Sequence, residues 1–402
     1  MSEQASNQVT RRRVFYIPGY DPIHPRRYRE LYRSEGAAQA QISGYEIGLK
    51  PRKFAGHYGW RATSTQDGCQ VVADIEVLVW SDIVRGSMSQ TIPATYAQMV
   101  RTAWVYISTG ALFRLMRLRK GPIIAALYPV GALILQAVLA LLMAYVAARL
   151  GGWALPGLGA WLGLSVGLAA GYGLLRFLKA RDGRYFVYYL MHDYAYSAAS
   201  RGANPPELEA RMAAFGDRIA AAMTEDWDEV LVIGHSSGAH LGVSILADLE
   251  RAGRISGTLS FLSLGQVVPM VSFLPDARRL RRDLRALSLS PALTWVDVTA
   301  PGDGCAFALC DPVAVSGVAP AGKRWPLVLS AAFTQTLSPG RWAELRWRFF
   351  RLHFQYLCAF DRPGEYDYFR ITAGPLSLGQ RFAGRRPSAS RIEAPVNRFR
   401  ST

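Results

Sequence analysis

Residues 228–249 read Asp-Glu-Val-Leu-Val-Ile-Gly-His-Ser-Ser-Gly-Ala-His-Leu-Gly-Val-Ser-Ile-Leu-Ala-Asp-Leu. Within them Gly234-His235-Ser236-Ser237-Gly238 sets a serine between two glycines at Gly-x-Ser-x-Gly spacing. Val230 to Ile233 is a short β-branched strand, and Ala239 to Leu249 has helical composition. The serine therefore falls on a strand-to-helix turn, which strains the backbone and holds the hydroxyl outward. There a neighbouring base can take its proton and make it a nucleophile. Gly234 and Gly238 leave room for the helix to come close to the strand. An ordinary glycine-rich turn is the competing use of the same residues.

With this elbow the chain resembles the α/β-hydrolase family, and the resemblance covers much of the sequence outside two long apolar runs. It implies an α/β fold, a mostly parallel sheet flanked by helices. It also implies the chain order nucleophile, acid, histidine, with an oxyanion donor supplied after an earlier strand. Val14 to Asp21 reads as a strand ending in a glycine turn before a helical stretch from Pro25. The N–H near Gly19 or Tyr20 would then join that of Ser237 in holding an oxyanion, where a plain β-turn is the alternative. Leu293 to Asp303 gives a strand whose Pro-Gly exit delivers Asp303 as the acid. Asp311, in Cys310-Asp311-Pro312, is the other candidate, and Asp297 lies inside the strand, where structural hydrogen bonding is expected. The acid would fix the imidazole tautomer and stabilise its protonated form.

Of six histidines, His353 alone follows both the serine and the acid. Trp347 to Leu352 is expected as the last strand, with His353-Phe354-Gln355-Tyr356 opening a helical turn. A helix unbroken from Arg341 to Phe360 would instead bury His353. His235 and His240 read as structural, and His24, His57 and His192 show no partner. Only about ten residues precede the first strand, so the family's two leading strands are expected to be missing and the sheet to be reduced.

The elements that must carry these residues share the chain with a membrane segment. Pro122 to Ala148 is apolar except for Gln136, and Trp153 to Leu175 has no charge. Each exceeds the ~20 residues needed to span a bilayer. Joined by Arg149 to Gly152, they read as an antiparallel hairpin inserted between a strand at Val71 to Trp80 and the elbow strand. Gly159, Gly163, Gly167 and Gly171 recur on one face of the second span and invite close packing, on the first span or on a second copy in a homo-oligomer. Arg114, Arg117, Arg119 and Lys120 precede the hairpin, and Arg176, Lys179, Arg181 and Arg184 follow it, against Arg149 alone between the spans. Both flanks, and both termini, are expected in the cytoplasm. Pro93 to Leu118 reads as a helix lying on or against the membrane.

The formal net charge of +16 gathers at residues 11–13, 26–33, 114–120, 176–184 and 278–285 and beyond Gln380. Beside apolar spans such charge suits an anionic membrane surface. Nucleic acid is not expected, because no basic stretch carries a recognisable nucleic-acid-binding signature. Leu280, Leu284 and Leu287 among the arginines of Asp276 to Leu287 have the spacing of an interfacial helix, or of one packed on the protein's own sheet. Cys69, Cys305, Cys310 and Cys358 lack CxxC or zinc-ligand spacing and read as reduced structural thiols. No metal or cofactor is implied.

The domain reading is a disordered stretch at 1–10, hydrolase parts at 11–119 and 179–375, the hairpin at 120–178 and a basic flexible tail at 376–402. No apolar signal region precedes the first strand. The chemistry expected is hydrolysis of an acyl ester, lipid-like, through an acyl-enzyme on Ser236. A thioesterase or acyltransferase would use the same residues, and an inactive membrane scaffold would keep only the fold.

Overall fold

The computed structural model describes residues 8–54, 57–88 and 91–402. They divide into a sheet unit (Met1–Gly86, Thr109–Pro122, Ser200–Thr402) and a helical unit (Ser87–Ser108, Ile123–Ala199).

The sheet unit holds β1 (Arg11–Ile17), β2 (Glu46–Phe54), β3 (His57–Gln66), β4 (Cys69–Val77), β5 (Glu229–His235), β6 (Leu259–Leu264), β7 (Leu293–Thr299) and β8 (Leu327–Ser330). They lie in the order β2-β3-β4-β1-β5-β6-β7-β8. β2 and β3 are antiparallel to their neighbours, and every other pairing is parallel. Every residue of β5 is buried, as the near-continuous apolar run of a parallel strand covered on both faces requires. Val14 stands opposite Ile75 on one side and Leu231 on the other. β1 therefore sits where the strand order reverses, the place beyond whose carboxyl ends open α/β sheets hold their ligands.

The sheet is not reduced. Its two antiparallel strands follow β1 in the chain instead of preceding it, and their composition hid them. β2 and β3 are rich in Arg, Lys, Thr and Ser, yet Trp60, Ala62, Ser64 and Gln66 alternate into the interior. Arg12 and Arg13, of the 11–13 cluster read as suiting a membrane surface, are cross-links of this sheet, as are three arginines outside the clusters. Arg12 and Glu229 pair at 2.6 Å, both fully buried. Arg13 and Arg218 converge on Glu76, and Arg52 and Arg61 on Asp74.

Two further expectations fail here. The helix Arg278–Leu287 turns Leu280, Leu284 and Leu287 inward and packs on the helix Gly238–Arg251. Arg281, fully buried, donates to the carbonyls of Ser272, Leu274, Pro275 and Ser401, so this is a structural helix and not an interfacial one. Residues 376–402 are not a loose tail. Ser388 N–H donates to Val328 O, Ile392 bridges to Cys310, and Asn397 Nδ2 donates to Ser272 O and Ser316 O. Of the stretch 1–10, residues 1–7 lie outside the described residues, while Val9 is buried and donates to Pro375 O.

In the helical unit, Lys120–Ala154 and Gly159–Ala180 are helices long and apolar enough to cross a membrane. Much of that apolar surface is outward, including Leu141, Trp153, Trp161 and Val166. The first helix runs on through Arg149 to Gly152, so the turn is 155–158 and not 149–152. Gly151 and Gly152 read as breakers because glycine disfavours a helix interior. Gly151 serves a different need, for a Cβ there would overlap the backbone of Gly159. The second helix lays Gly159, Gly163, Gly167 and Gly171 against Gly151, Ala147, Ala144 and Ala140 in turn. Within the chain the glycine face is thus taken by the first of the two helices.

The stretch expected as one helix over 93–118 is two, Ile92–Ser108 and Ala111–Leu118, separated at Gly110 with φ +71°. The first packs on the helix Val187–Ala199, where Ile92, Leu133, Tyr188 and Met191 form a core. It leaves Val100, Trp104 and Ile107 exposed at i, i+4, i+7 spacing, an apolar stripe on one helical face.

Candidate active site

Four adjacent strand ends build the site. β5 delivers Ser236, which takes φ +56°, a left-handed conformation costly for a side chain with Cβ and typical of functional turns. The helix Gly238–Arg251 starts immediately after it. A Cβ on Gly234 would stand 2.6 Å from Gly238 O and 2.7 Å from Ala239 Cα, and one on Gly238 would overlap Ile17 O. The first glycine lets the helix close on its own strand. The second lets the elbow close on the exit of β1.

That exit is the loop Pro18-Gly19-Tyr20-Asp21. Gly19 faces the serine so closely that a Cβ would lie 3.0 Å from Ser236 Cβ and 3.4 Å from Oγ. Trp80 Nε1 holds Pro18 O at 2.9 Å, the Tyr20 ring stands edge-on to Trp80 at 6.1 Å, and Asp21 accepts from Ile23 N–H and Tyr28 Oη. Among the described residues the N–H groups of Gly19 and Ser237 donate to no backbone carbonyl. They are thus unspent donors on either side of the serine.

β7 ends at Thr299, and Asp303 follows on the Pro-Gly loop, its N–H held by Ala300 O at 2.9 Å. Asp303 Oδ2 meets His353 Nδ1 at 2.7 Å and accepts Tyr356 Oη–H at 3.0 Å, while Oδ1 accepts Cys305 N–H at 2.8 Å. Burial pushes this carboxyl up, but the charge of His353 and these hydrogen bonds outweigh it and hold it below its ordinary value. Asp303, not Asp311, is therefore the acid that meets the histidine. Asp311 caps the helix Pro312–Val315 by accepting from Val313 and Ala314 N–H, and it pairs with Lys323. Asp297 is fully buried, accepts Ser263 Oγ–H at 2.5 Å and is pushed up to about 8 by burial, opposed by that hydrogen bond and helped by the charge of Asp311.

His353 closes the short helix Phe349–His353, so residues 347–352 are not the last strand. β8 takes that place at Leu327–Ser330. Leu352 is buried and Trp347 exposed, and the Phe349 ring lies against Gly304 of the acid loop, where a Cβ would stand 3.0 Å from it. The imidazole rests over the exit of β6, where Gly265 has φ +52° and a Cβ would stand 3.1 Å from His353 Cε1 and 2.7 Å from the Tyr356 ring. Ser236 N–H donates to the O of Leu264, the residue before that glycine, at 2.9 Å. Serine and histidine thus flank one peptide of β6. Among the described residues no hydrogen bond joins Ser236 Oγ to His353. Nδ1 is committed to Asp303, which leaves Nε2 for a second partner.

His235 lies against the imidazole, the ring centroids 4.9 Å apart, and its Nε2–H donates to His353 O at 3.0 Å. Burial and the neighbouring charge of His353 pull it down to about 3, so it stays neutral. The remaining histidines lie elsewhere: His240 is half-buried on the elbow helix, His24 accepts Arg26 N–H, His57 is 3.7 Å from Glu76, and His192 bonds Gln98 at 2.8 Å.

Two side chains of this cluster escaped the sequence reading. Tyr356, three residues past the histidine, accepts Ala300 N–H at 2.9 Å while donating to Asp303, tying the β7 exit to the acid. Cys305, two residues past the acid, offers Sγ within 4.8 Å of ligand atoms of both Asp303 and His353. The spacing Asp-x-Cys was visible, but the histidine that completes the group comes from a distant segment.

The chain matches no family model, no curated protein and no solved structure. What the site can do rests on its own geometry: a serine at positive φ with Gly19 packed against it, beside a carboxylate–imidazole pair on the next strand ends.

Proposed function

We propose that the chain is a membrane-anchored serine hydrolase of α/β-hydrolase type that cleaves an acyl ester through an acyl-enzyme on Ser236. The observation that carries this reading is Ser236 at φ +56°, with Gly19 packed against it and the Asp303–His353 pair at 2.7 Å across the Leu264–Gly265 peptide. Ser236 Oγ bonds to the acyl carbon as His353 Nε2 takes its proton, and the carbonyl oxygen becomes an oxyanion between Ser237 N–H and the Gly19–Tyr20 backbone. The imidazolium then protonates the departing alkoxide. Water repeats the sequence to release the acid. Ionised Asp303 stabilises the imidazolium, and neutral His235 sets no second positive charge beside it.

The two apolar helices support a membrane anchor, and the flanking arginines and lysines support a cytoplasmic catalytic unit. A substrate held in the adjacent leaflet, acyl lipid or lipid-like ester, follows from such an anchor. Cysteines placed at Pro156 and Ser390 in a cysteine-free chain test the orientation: the first should label only from outside intact cells, and the second only after the cell is opened. The reverse pattern overturns it.

The enzymatic reading is tested with a fluorophosphonate probe on the full-length protein in detergent. Labelling should occur on Ser236, vanish in Ser236→Ala and slow sharply in His353→Ala. Folded protein that takes no label would favour the second reading, a scaffold that keeps the architecture without the chemistry, to which the missing Ser236–His353 hydrogen bond lends support. A thioesterase or acyltransferase would label identically, and the acceptor and acyl group would separate them.

A further inference from the structure

We infer that Asp303, Cys305 and His353 form a binding site for a soft divalent cation, with Zn²⁺ as its probe, whose occupancy takes His353 out of service. Each residue offers one ligand atom, thiolate sulfur, imidazole nitrogen and carboxylate oxygen, and all lie within 4.8 Å of one another. Three protein ligands of mixed S, N and O type are a set that zinc accepts. The thiolate selects against the hard cations Mg²⁺ and Ca²⁺.

The group is held before any ion arrives. Asp303 and Cys305 sit on one loop, cinched by the 2.8 Å hydrogen bond from Cys305 N–H to Asp303 Oδ1. Asp303 and His353 are buried, and Cys305 is half-buried and in no disulfide. Two ligands are thus already out of water, and the third stands at the edge, where an ion would enter. The carboxylate accepts three hydrogen bonds, from His353, Tyr356 and Cys305, of the roughly four its oxygens can take. The Asp303–His353 contact is complete without an ion, so the cation competes for the pair and binding is reversible. As the metal–sulfur bond forms, the thiol proton leaves to solvent.

The consequence for activity rests on the hydrolase reading: a ring nitrogen bound to metal, or pinned beside it, cannot take the Ser236 proton. Binding itself does not depend on that reading. The test uses the full-length protein in detergent, stripped with a chelator and titrated with Co²⁺, whose thiolate complexes absorb in the near ultraviolet. Wild type and Ser236→Ala should each bind one Co²⁺ per chain with this absorption, displaced by Zn²⁺, and Cys69→Ser should behave likewise. Cys305→Ser should lose the absorption. Zn²⁺ inhibition, measured against each variant's own zinc-free rate, should weaken in it by roughly tenfold or more. Absorption that persists in Cys305→Ser, or is absent from wild type, overturns the site. Absorption present without any measurable hydrolysis keeps the site and removes its regulatory meaning.

Discussion

In the sheet unit Arg12 and Arg281 are 0 % exposed, while in the helical unit Trp104, Trp153 and Trp161 are 71 %, 86 % and 70 % exposed. The arginines enter the interior because partners wait there, Glu229 for one and four backbone carbonyls for the other. A buried charge without such partners would cost several kcal/mol. The tryptophans stand outside on helices that satisfy their own backbone groups, as any surface that meets lipid must. The clusters at 11–13 and 278–285 therefore say little about which surface would meet a membrane. Exposed apolar area says more.

On the proposed reading the chemistry belongs to the sheet unit and anchoring to the helical one, and mutations can separate them. The largest effect expected is in Ser236→Ala. Ester turnover in detergent should fall on the order of a million-fold, as when a serine-hydrolase nucleophile is removed, with His353→Ala similar and Asp303→Asn milder. Equal rates in wild type and Ser236→Ala on a short-chain ester would falsify the assignment. Next comes Tyr356→Phe, which deletes one donor to ionised Asp303 and the acceptor of Ala300 N–H. A hydrogen bond to a charged group contributes about 1.5–3 kcal/mol, so kcat should drop about tenfold to a hundredfold while lipid association is unchanged. A loss of lipid association with it would break the division of labour.

Gly163→Leu probes the other unit. Its side chain would overlap the Ala147 carbonyl, and overpacking of this kind costs about 1–3 kcal/mol. Hydrogen exchange should rise in residues 123–180 and stay unchanged in 200–402; faster exchange in both would show that the units are one cooperative body. The smallest effect is a pH slope confined to the sheet unit. Asp297 holds its proton up to about pH 8 in the fold, against an ordinary value of 3.8. The folded chain thus keeps a proton that the unfolded chain sheds, and stability declines as pH rises from about 4 to about 8. Asp297→Asn should flatten the dependence of the melting temperature between pH 6 and 8, and an unchanged slope would assign it to another group.

The elbow was legible because its signal is local: β-branched strand, glycine-flanked serine and helix lie within one stretch of sequence. The same holds for the two apolar helices and for Asp303, set at a strand end by Pro301 and Gly302. β2 and β3 were not legible because polar residues alternate with their inward ones and Arg52 and Arg61 are neutralised by Asp74, a partner that only the folded sheet supplies. The order of strands was hidden for the same reason. His353 was found by elimination, whereas its helical setting, the choice between Asp303 and Asp311, and the roles of Tyr356 and Cys305 depend on which loops meet.

The pairing of β1 with β5, Arg12 opposite Glu229, also fixes an order of assembly. β1 leaves the ribosome long before β5, and every residue of the helical unit is made between them. Until β5 arrives, β1 presents a bare edge with unpaired N–H and C=O groups, an aggregation hazard for a nascent chain. Gly19 waits on that edge for the serine it will face. The meeting of Gly19 and Ser236 therefore comes only after the apolar helices have been synthesised, and a chain whose hairpin is mishandled would leave β1 without the strand that completes its edge.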